Sequence, residues 1–313
     1  MGPSDPREAA TPAGAPTGAP SAPSAPSAPV PSVAVRCWGT RGSTPSPGPD
    51  TVEYGGNTSC VEIRAGGTRI ILDAGTGIRL LGEELWEEAG DKEAVIFLTH
   101  FHWDHIQGLP FFAPAHDPAF HIKIFGPEQE GLGVEALLAG QMGPIYYPVS
   151  LQELPASFTF AEVEEGSWIH ETFEMHAMRM RHPSVTLGYR AEAFGRSVVF
   201  IPDNELEGGS FPTPAGWRNA LEDFVRGADI LLHDAMFTEE EGPSFRGWGH
   251  STFEQVVELA LRAEVKKVFF FHHAPGRSDA ELTRLLDRFR EEVSDRTRDL
   301  QVHAAAEGDT ILL

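Results

Sequence analysis

Apolar positions along the chain fall into short blocks separated by polar and glycine-rich segments. The blocks "SVAVRCW" (32 to 38), "SCVEIRA" (59 to 65), "TRIILD" (68 to 73), "AVIFLTH" (94 to 100), "HIKIFG" (121 to 126), "SVVFIPD" (197 to 203), "DILLHDA" (229 to 235), "KVFFFHH" (267 to 273) and "DTILL" (309 to 313) have the length and β-branched content of strands. Between them the period lengthens. In "TGIRLLGEELWEEAG", Ile78, Leu81, Leu85 and Trp86 share one helical face, and Gly90 supplies a stop. "STFEQVVELALRAE" and "SDAELTRLLDRFREEV" each open on a Ser-x-x-Glu capping box, Ser251 with Glu254 and Ser278 with Glu281. Strands interleaved with helices predict an α/β layered domain from 33 to 313.

Three of the most continuous apolar strands end on metal-ligand residue types: "VIFL" on Thr99 and His100, "VVFI" on Pro202 and Asp203, "VFFF" on His272 and His273. The carboxyl ends of neighbouring buried strands share one rim of a sheet, the usual place for a site in open α/β folds. Residues far apart in sequence are therefore expected to meet there.

Composition changes the picture at the N-terminus. Residues 1–32 are rich in Pro, Ala, Ser and Gly, with a Ser-Ala-Pro repeat from Ser21 to Pro29, and are too poor in large apolar residues to pack. We read them as a disordered tail. It lacks the apolar stretch of a secretory signal, and no run elsewhere is long enough to span a bilayer, so a cytoplasmic protein with no membrane partner is expected. The two cysteines, Cys37 and Cys60, lie in strand-like segments without metal or redox spacing. The formal net charge is -22. Long nucleic acids are bound by neutralising phosphates with Lys and Arg, so such a partner is not expected.

The densest chemistry lies at 98–109, "LTHFHWDHIQGL", where His100, His102, Asp104 and His105 fall within six residues. One zinc-type cation does not need that many donors from one loop. Two ions sharing ligands would use them all. This His-x-His-x-Asp-His signature resembles that of the metallo-β-lactamase superfamily. "GTRGSTPSP", "LDAGTG", "RHPSVTLGYR", "FIPDNE", "GHST" and "FHHAPGRSD" follow in the order of its phosphodiesterase branch, which includes ribonuclease Z, phosphoribosyl cyclic phosphodiesterases and cyclic-nucleotide phosphodiesterases.

The resemblance implies an αβ/βα four-layer sandwich of two mixed sheets in two similar halves, with a dinuclear site on one edge. One ion would take His100, His102 and His182, the other Asp104, His105 and His273, with Asp203 bridging. His272 and His273 compete for one place; Arg277, four residues after His273, favours His273 on the ribonuclease Z pattern and leaves His272 structural. Asp73 resembles a carboxylate that orients a ligand histidine. His250 of "GHST" resembles the branch's proton donor, with Asp234 orienting it. Arg41, Arg277 and Asn57 are candidate substrate contacts. Two divalent ions are implied, with zinc favoured by the histidines and manganese or iron also accepted by such donors. With Asp104, Asp203 and one deprotonated water, the site would carry about one positive charge, enough to welcome a phosphate on an acidic protein.

The activity implied is hydrolysis of a small phosphodiester, a cyclic nucleotide or a phosphoribosyl cyclic phosphate, with no need for long nucleic acid, and the resemblance allows a homodimer, the state of many members of the branch. Bacterial ribonuclease Z carries a tRNA-binding arm between the "GYR" strand and the bridging aspartate. Here only "AEAFGRSVVFIP" separates them, room for a hairpin and no arm. Cleavage of tRNA 3′ ends therefore stands as the alternative, beside ester, thioester or lactone hydrolysis and a non-catalytic metal-binding sensor or scaffold. Trp103, Phe111, Phe112, Tyr146, Tyr147 and Trp248 could edge the site and stack a base, or could simply pack in the core.

Overall fold

The computed structural model describes residues 32–90, 92–208 and 211–313. The expected disordered tail, Ser32 apart, lies outside them. Two sheets are each built by the same sequence of connections. The first half runs β1 (Val33–Gly39), β2 (Cys60–Ala65), β3 (Thr68–Leu72), α1 (Ile78–Glu87), β4 (Glu93–Phe97), α2 (Trp103–Ile106), β5 (His121–Gly126), α3 (Val134–Gln141) and β6 (Ser157–Glu162). The second runs β7 (Gly166–His170), β8 (Phe173–Arg179), β9 (Leu187–Ala193), β10 (Arg196–Ile201), α4 (Trp217–Val225), β11 (Ile230–Asp234), α5 (Phe253–Arg262), β12 (Lys267–Phe271), α6 (Asp279–Arg296) and β13 (Gln301–Ala304), before β14 (Thr310–Leu312) returns to the first sheet.

Strand order is β14-β1-β2-β3-β4-β5-β6 in one sheet and β13-β12-β11-β10-β9-β8-β7 in the other. In both, an antiparallel meander leads into parallel strands: β3 to β6 in the first, β10 to β13 in the second. The inner parallel strands β4, β10, β11 and β12 are the continuous apolar runs, because both of their faces are covered. One face of each sheet meets the other sheet in a core containing Val35, Ile63, Phe97, Met175, Tyr189, Phe200 and Phe271. The opposite faces are covered by α1 and α3 on one side, through Ile78, Leu81 and Leu138, and by α4, α5 and α6 on the other, through Leu221, Val256 and Phe289. This is the αβ/βα four-layer sandwich of two mixed sheets. Among the described residues no helix is long and apolar enough to cross a membrane.

Local expectations are met unevenly. The Ser278–Glu281 box caps α6 as read from the sequence. At α5 the box is shifted one residue, to Thr252 and Gln255. Ser251 is unavailable as a cap because its hydroxyl donates to the Asn204 carbonyl and its N–H to Asp234. Trp86, expected on the buried face of α1, is 45% exposed, while Gly82 takes the buried place against Phe112. Cys37 and Cys60 are buried free thiols, and burial pushes Cys37 up to about 12.

Candidate metal centre

The site forms where the parallel strands end. Asp73 follows β3, His100 follows β4, Asp203 follows β10, Asp234 closes β11 and His272 follows β12, while His182 descends from the β8–β9 connection. The local backbone is shaped for the purpose: Asp73 and His272 adopt left-handed conformations, φ 63 and 56°, costly for non-glycine residues and found where surrounding structure enforces them.

Two groups of donor atoms result, each within 4.8 Å of one another: His100, His102, His182 and Asp203; and Asp104, His105 and His272. Asp203 divides its oxygens between them. Its Oδ2 lies 3.7 Å from His100 Nε2 and 3.6 Å from His182 Nε2, while Oδ1 lies 3.1 Å from His105 Nε2 and 3.3 Å from His272 Nε2. His102 Nδ1 is 3.1 Å from His182 Nε2, and Asp104 Oδ2 is 3.2 Å from His105 Nε2 and 3.0 Å from His272 Nε2. Donors about 2.0–2.2 Å from a shared tetrahedral cation stand roughly 3.3–3.6 Å apart, so the spacing suits two such centres. His100 Nε2, His105 Nε2 and Asp203 Oδ1 are buried without a hydrogen-bond partner. Buried polar atoms are normally paired, and one cation in each donor set would satisfy all three.

Surrounding bonds aim the donors. Asp73 accepts from the Thr99 N–H (2.8 Å) and the Ser59 hydroxyl (2.9 Å) and faces His105 Nδ1 at 2.7 Å, which leaves Nε2 turned to the site. Glu205, a residue the sequence reading passed over, accepts from the N–H groups of Gly247 and Gly249, and the Gly249 carbonyl faces His182 Nδ1 at 3.1 Å. The signal was a carboxylate two residues beyond Asp203 in an otherwise buried stretch. Ser43 was passed over too; its N–H donates to Asp104 Oδ2 at 2.7 Å.

Electrostatics follow burial and proximity. Burial, with His105 beside it, holds the His100 imidazole well below its ordinary value, and burial pushes His182 down to about 3, so both are neutral donors at pH 7. Burial also opposes a proton on His105, but Asp104, Asp203 and Asp73 outweigh it and hold that imidazole well above its ordinary value. Burial would raise the two carboxyls, yet the neighbouring histidines hold Asp104 and Asp203 well below the usual carboxylate range.

His250 stands beside the cluster, its ring stacked on His272 at 5.0 Å, with Nδ1 3.0 Å from Asp234 Oδ2. Asp234 is fixed by the N–H groups of Met236 and Ser251. Burial opposes the imidazolium, but Asp234, then Asp203 and Asp104, raise His250 to about 9. His250 shares a cleft of about 440 Å³ with Ser43, His102, Trp103, Asp104 and His272.

Four sequence expectations are corrected by position. His272, not His273, enters the cluster; His273 Nε2 donates to the Ala305 carbonyl at 2.9 Å and its ring packs against Tyr54. Arg41 is fully buried; its Nε and Nη1 donate to the carbonyls of Gly55, Ala274 and Arg277, and its Nη2 lies 3.9 Å from Asp279 Oδ1. A buried guanidinium needs internal partners, and here they are loop carbonyls and a carboxylate, so Arg41 braces loops. Arg277 is tied to Glu241 at 2.6 Å and to the Met236 carbonyl. Asn57 is held by Glu307, its Nδ2 at 2.9 Å. None of these three lines the cleft.

Comparison with known proteins agrees with the fold. The family model described as "Beta-lactamase superfamily domain" matches residues 68–273. The chain belongs to that superfamily. Among curated members, ribonuclease Z of Exiguobacterium sibiricum is 28% identical over 231 residues, covering 61% of this chain and 74% of the relative. Among solved structures, the metallo-beta-lactamase fold protein YhfI from Bacillus subtilis aligns with a TM-score of 0.65 and 16% identity, over 90% of this chain and 100% of YhfI. Unliganded yeast PDE1 gives the same TM-score of 0.65 at 14% identity, with coverage of 90% and 100%. As a superfamily member with this donor cluster, the protein is a metal-dependent hydrolase.

Proposed function

We propose that the protein is a dinuclear metal-dependent phosphodiesterase acting on a small phosphodiester, a cyclic nucleotide or a phosphoribosyl cyclic phosphate. The observation that carries the reading is the division of Asp203, one oxygen toward His100 and His182 and the other toward His105 and His272. His100, His102, His182 and Asp203 would hold one divalent ion, and Asp104, His105, His272 and Asp203 the other, with zinc best suited to this histidine-rich set. When bound, such a pair supplies a water-derived nucleophile at neutral pH and neutralises charge on the phosphoryl oxygens.

The chain's own groups supply the rest. A departing alkoxide needs a proton, and one nitrogen of His250 lies within 4.8 Å of donor atoms of Asp203 and His272. With Nδ1 held by Asp234, the other nitrogen is the one free to carry a proton to the leaving oxygen. Asp234 is thus a positioning residue and His250 the acid.

Two observations bear on substrate size. The β9–β10 hairpin turns through Phe194 and Gly195, both at positive φ, the conformation of a tight two-residue loop, so no arm leaves the domain there. The net charge is -22. Both favour a small substrate. The ribonuclease Z relatives favour the second reading, an RNA endonuclease. The buried free thiols fit the reducing cytoplasm. The deciding experiment offers the metal-analysed protein bis(p-nitrophenyl) phosphate, cyclic mononucleotides, phosphoribosyl cyclic phosphate, a tRNA precursor, an ester and a lactone. Fastest turnover of a small phosphodiester is expected; faster tRNA cleavage would install the second reading, and ester- or lactone-only turnover would end both.

A further inference from the structure

Beside the metal-ligand cluster lies a second cleft, of about 460 Å³, whose character is opposite to that of the first. Phe101, Trp103, Phe111, Tyr146 and Tyr147 form its walls, with Gln107 and Gln141 as uncharged polar groups. Phe101 and Trp103 line both clefts, so the apolar space adjoins the cleft that holds the donor cluster. Three of the walls are large aromatics left in solvent: Trp103 is 73% exposed, Phe111 58% and Tyr146 77%. Phe112, by contrast, is fully buried in the core. Contiguous exposed apolar surface at a site is a mark of ligand binding.

Resting on the phosphodiesterase reading, we infer that this cleft is the subsite for one flat, uncharged aromatic group of the substrate, a nucleobase. Charge decides between the candidate substrates. Among the described residues lining the two clefts none is Lys or Arg. One phosphoryl group would be neutralised at the metal-loaded donor cluster, but a second phosphate seated in the aromatic cleft, as on a phosphoribosyl substrate or the next nucleotide of an RNA, would meet no cation there. A base would find ring faces. The wall is firm enough to offer them: Phe111 packs edge-on against Tyr147, centroids 5.6 Å apart, and the Tyr147 hydroxyl donates to the Pro110 carbonyl at 3.0 Å. The site thus selects a mononucleotide-type phosphodiester.

The test is calorimetric titration of the metal-loaded protein with adenosine 5′-monophosphate, ribose 5-phosphate and inorganic phosphate, alongside sedimentation to follow oligomeric state. Stacking on aromatic side chains predicts a preference for the nucleotide over ribose 5-phosphate of about five- to a hundredfold. Trp103→Ala, and separately Phe111→Ala, which lines only the second cleft, should each reduce that ratio severalfold. Equal affinity for the two ligands in the unmodified protein, or variants that weaken both by the same factor, overturns the inference. So does loss of a dimer in the variants with the ratio intact, since the aromatics would then bind a second copy of the chain. A protein that prefers the nucleotide but hydrolyses no phosphodiester keeps the subsite and loses the catalytic reading; the converse loses the subsite alone.

Discussion

His272 and His273 are adjacent, both fully buried, and only one of them is a ligand in this account. Replacing each by alanine separates the roles. His272 supplies Nε2 at 3.0 Å from Asp104 and 3.3 Å from Asp203, so His272→Ala cuts the second donor set from Asp104, His105, His272 and Asp203 to three. Losing a residue that merely supports a ligand weakens metal binding about 10- to 100-fold. Losing the ligand itself should cost at least about 100-fold, roughly 2.7 kcal/mol. His273→Ala acts elsewhere. It leaves the buried Ala305 carbonyl unpaired, about 1–3 kcal/mol, and opens a cavity worth roughly 2 kcal/mol more. With roughly 2–4 °C per kcal/mol for a domain of this size, Tm should fall by about 10 °C. Metal analysis after dialysis and a thermal melt read both quantities. His272→Ala should drop toward one ion per chain, and His273→Ala should keep two while melting early. Loss of metal from His273→Ala, with His272→Ala fully loaded, would refute the assignment.

Other outcomes follow from the same geometry. His250→Ala should retain metal and lose about 10²- to 10⁴-fold in turnover of substrates with alkoxide leaving groups, but little with p-nitrophenolate, which needs no proton; an equal loss with both would remove His250 as the acid. Asp104, Asp203 and Asp73 hold a proton on His105, and a bound cation must displace it, so loading should release a proton and metal affinity should rise with pH through the neutral range. Loading without acidification of a weak buffer would contradict that. Gly249 has φ +90° and its Cβ would collide with His182, so Gly249→Ala should impair metal binding although the residue is no ligand; unchanged metal content would show that the loop yields.

What the sequence disclosed, and what it did not, have physical reasons. Strands β4, β10, β11 and β12 were legible because a strand buried on both faces is a continuous apolar run, and the ligand types at their ends stood out against it. Strands β6, β7, β8 and β13 were missed. Their side chains are partly exposed or lie toward sheet edges, as in "GSWIH", so no unbroken apolar run marks them. The choice between His272 and His273 was not legible either, since alternation puts neighbours on opposite faces without saying which face is the site's, and His272 leaves the strand in a left-handed turn. Arg41 read as a candidate substrate contact because burial of a charged side chain depends on carbonyls contributed from Gly55, Ala274 and Arg277, segments mostly distant in the chain.

The central claim is that Asp203 joins two cation sites into one hydrolytic centre. Its most direct test is hydrolysis of bis(p-nitrophenyl) phosphate by chelator-stripped protein during stepwise addition of zinc, with Asp203→Ala in parallel. Turnover should stay near zero through the first equivalent, rise with the second, and be absent from the variant at any loading. Hydrolysis that survives stripping, or that Asp203→Ala sustains with two ions bound, would contradict the account.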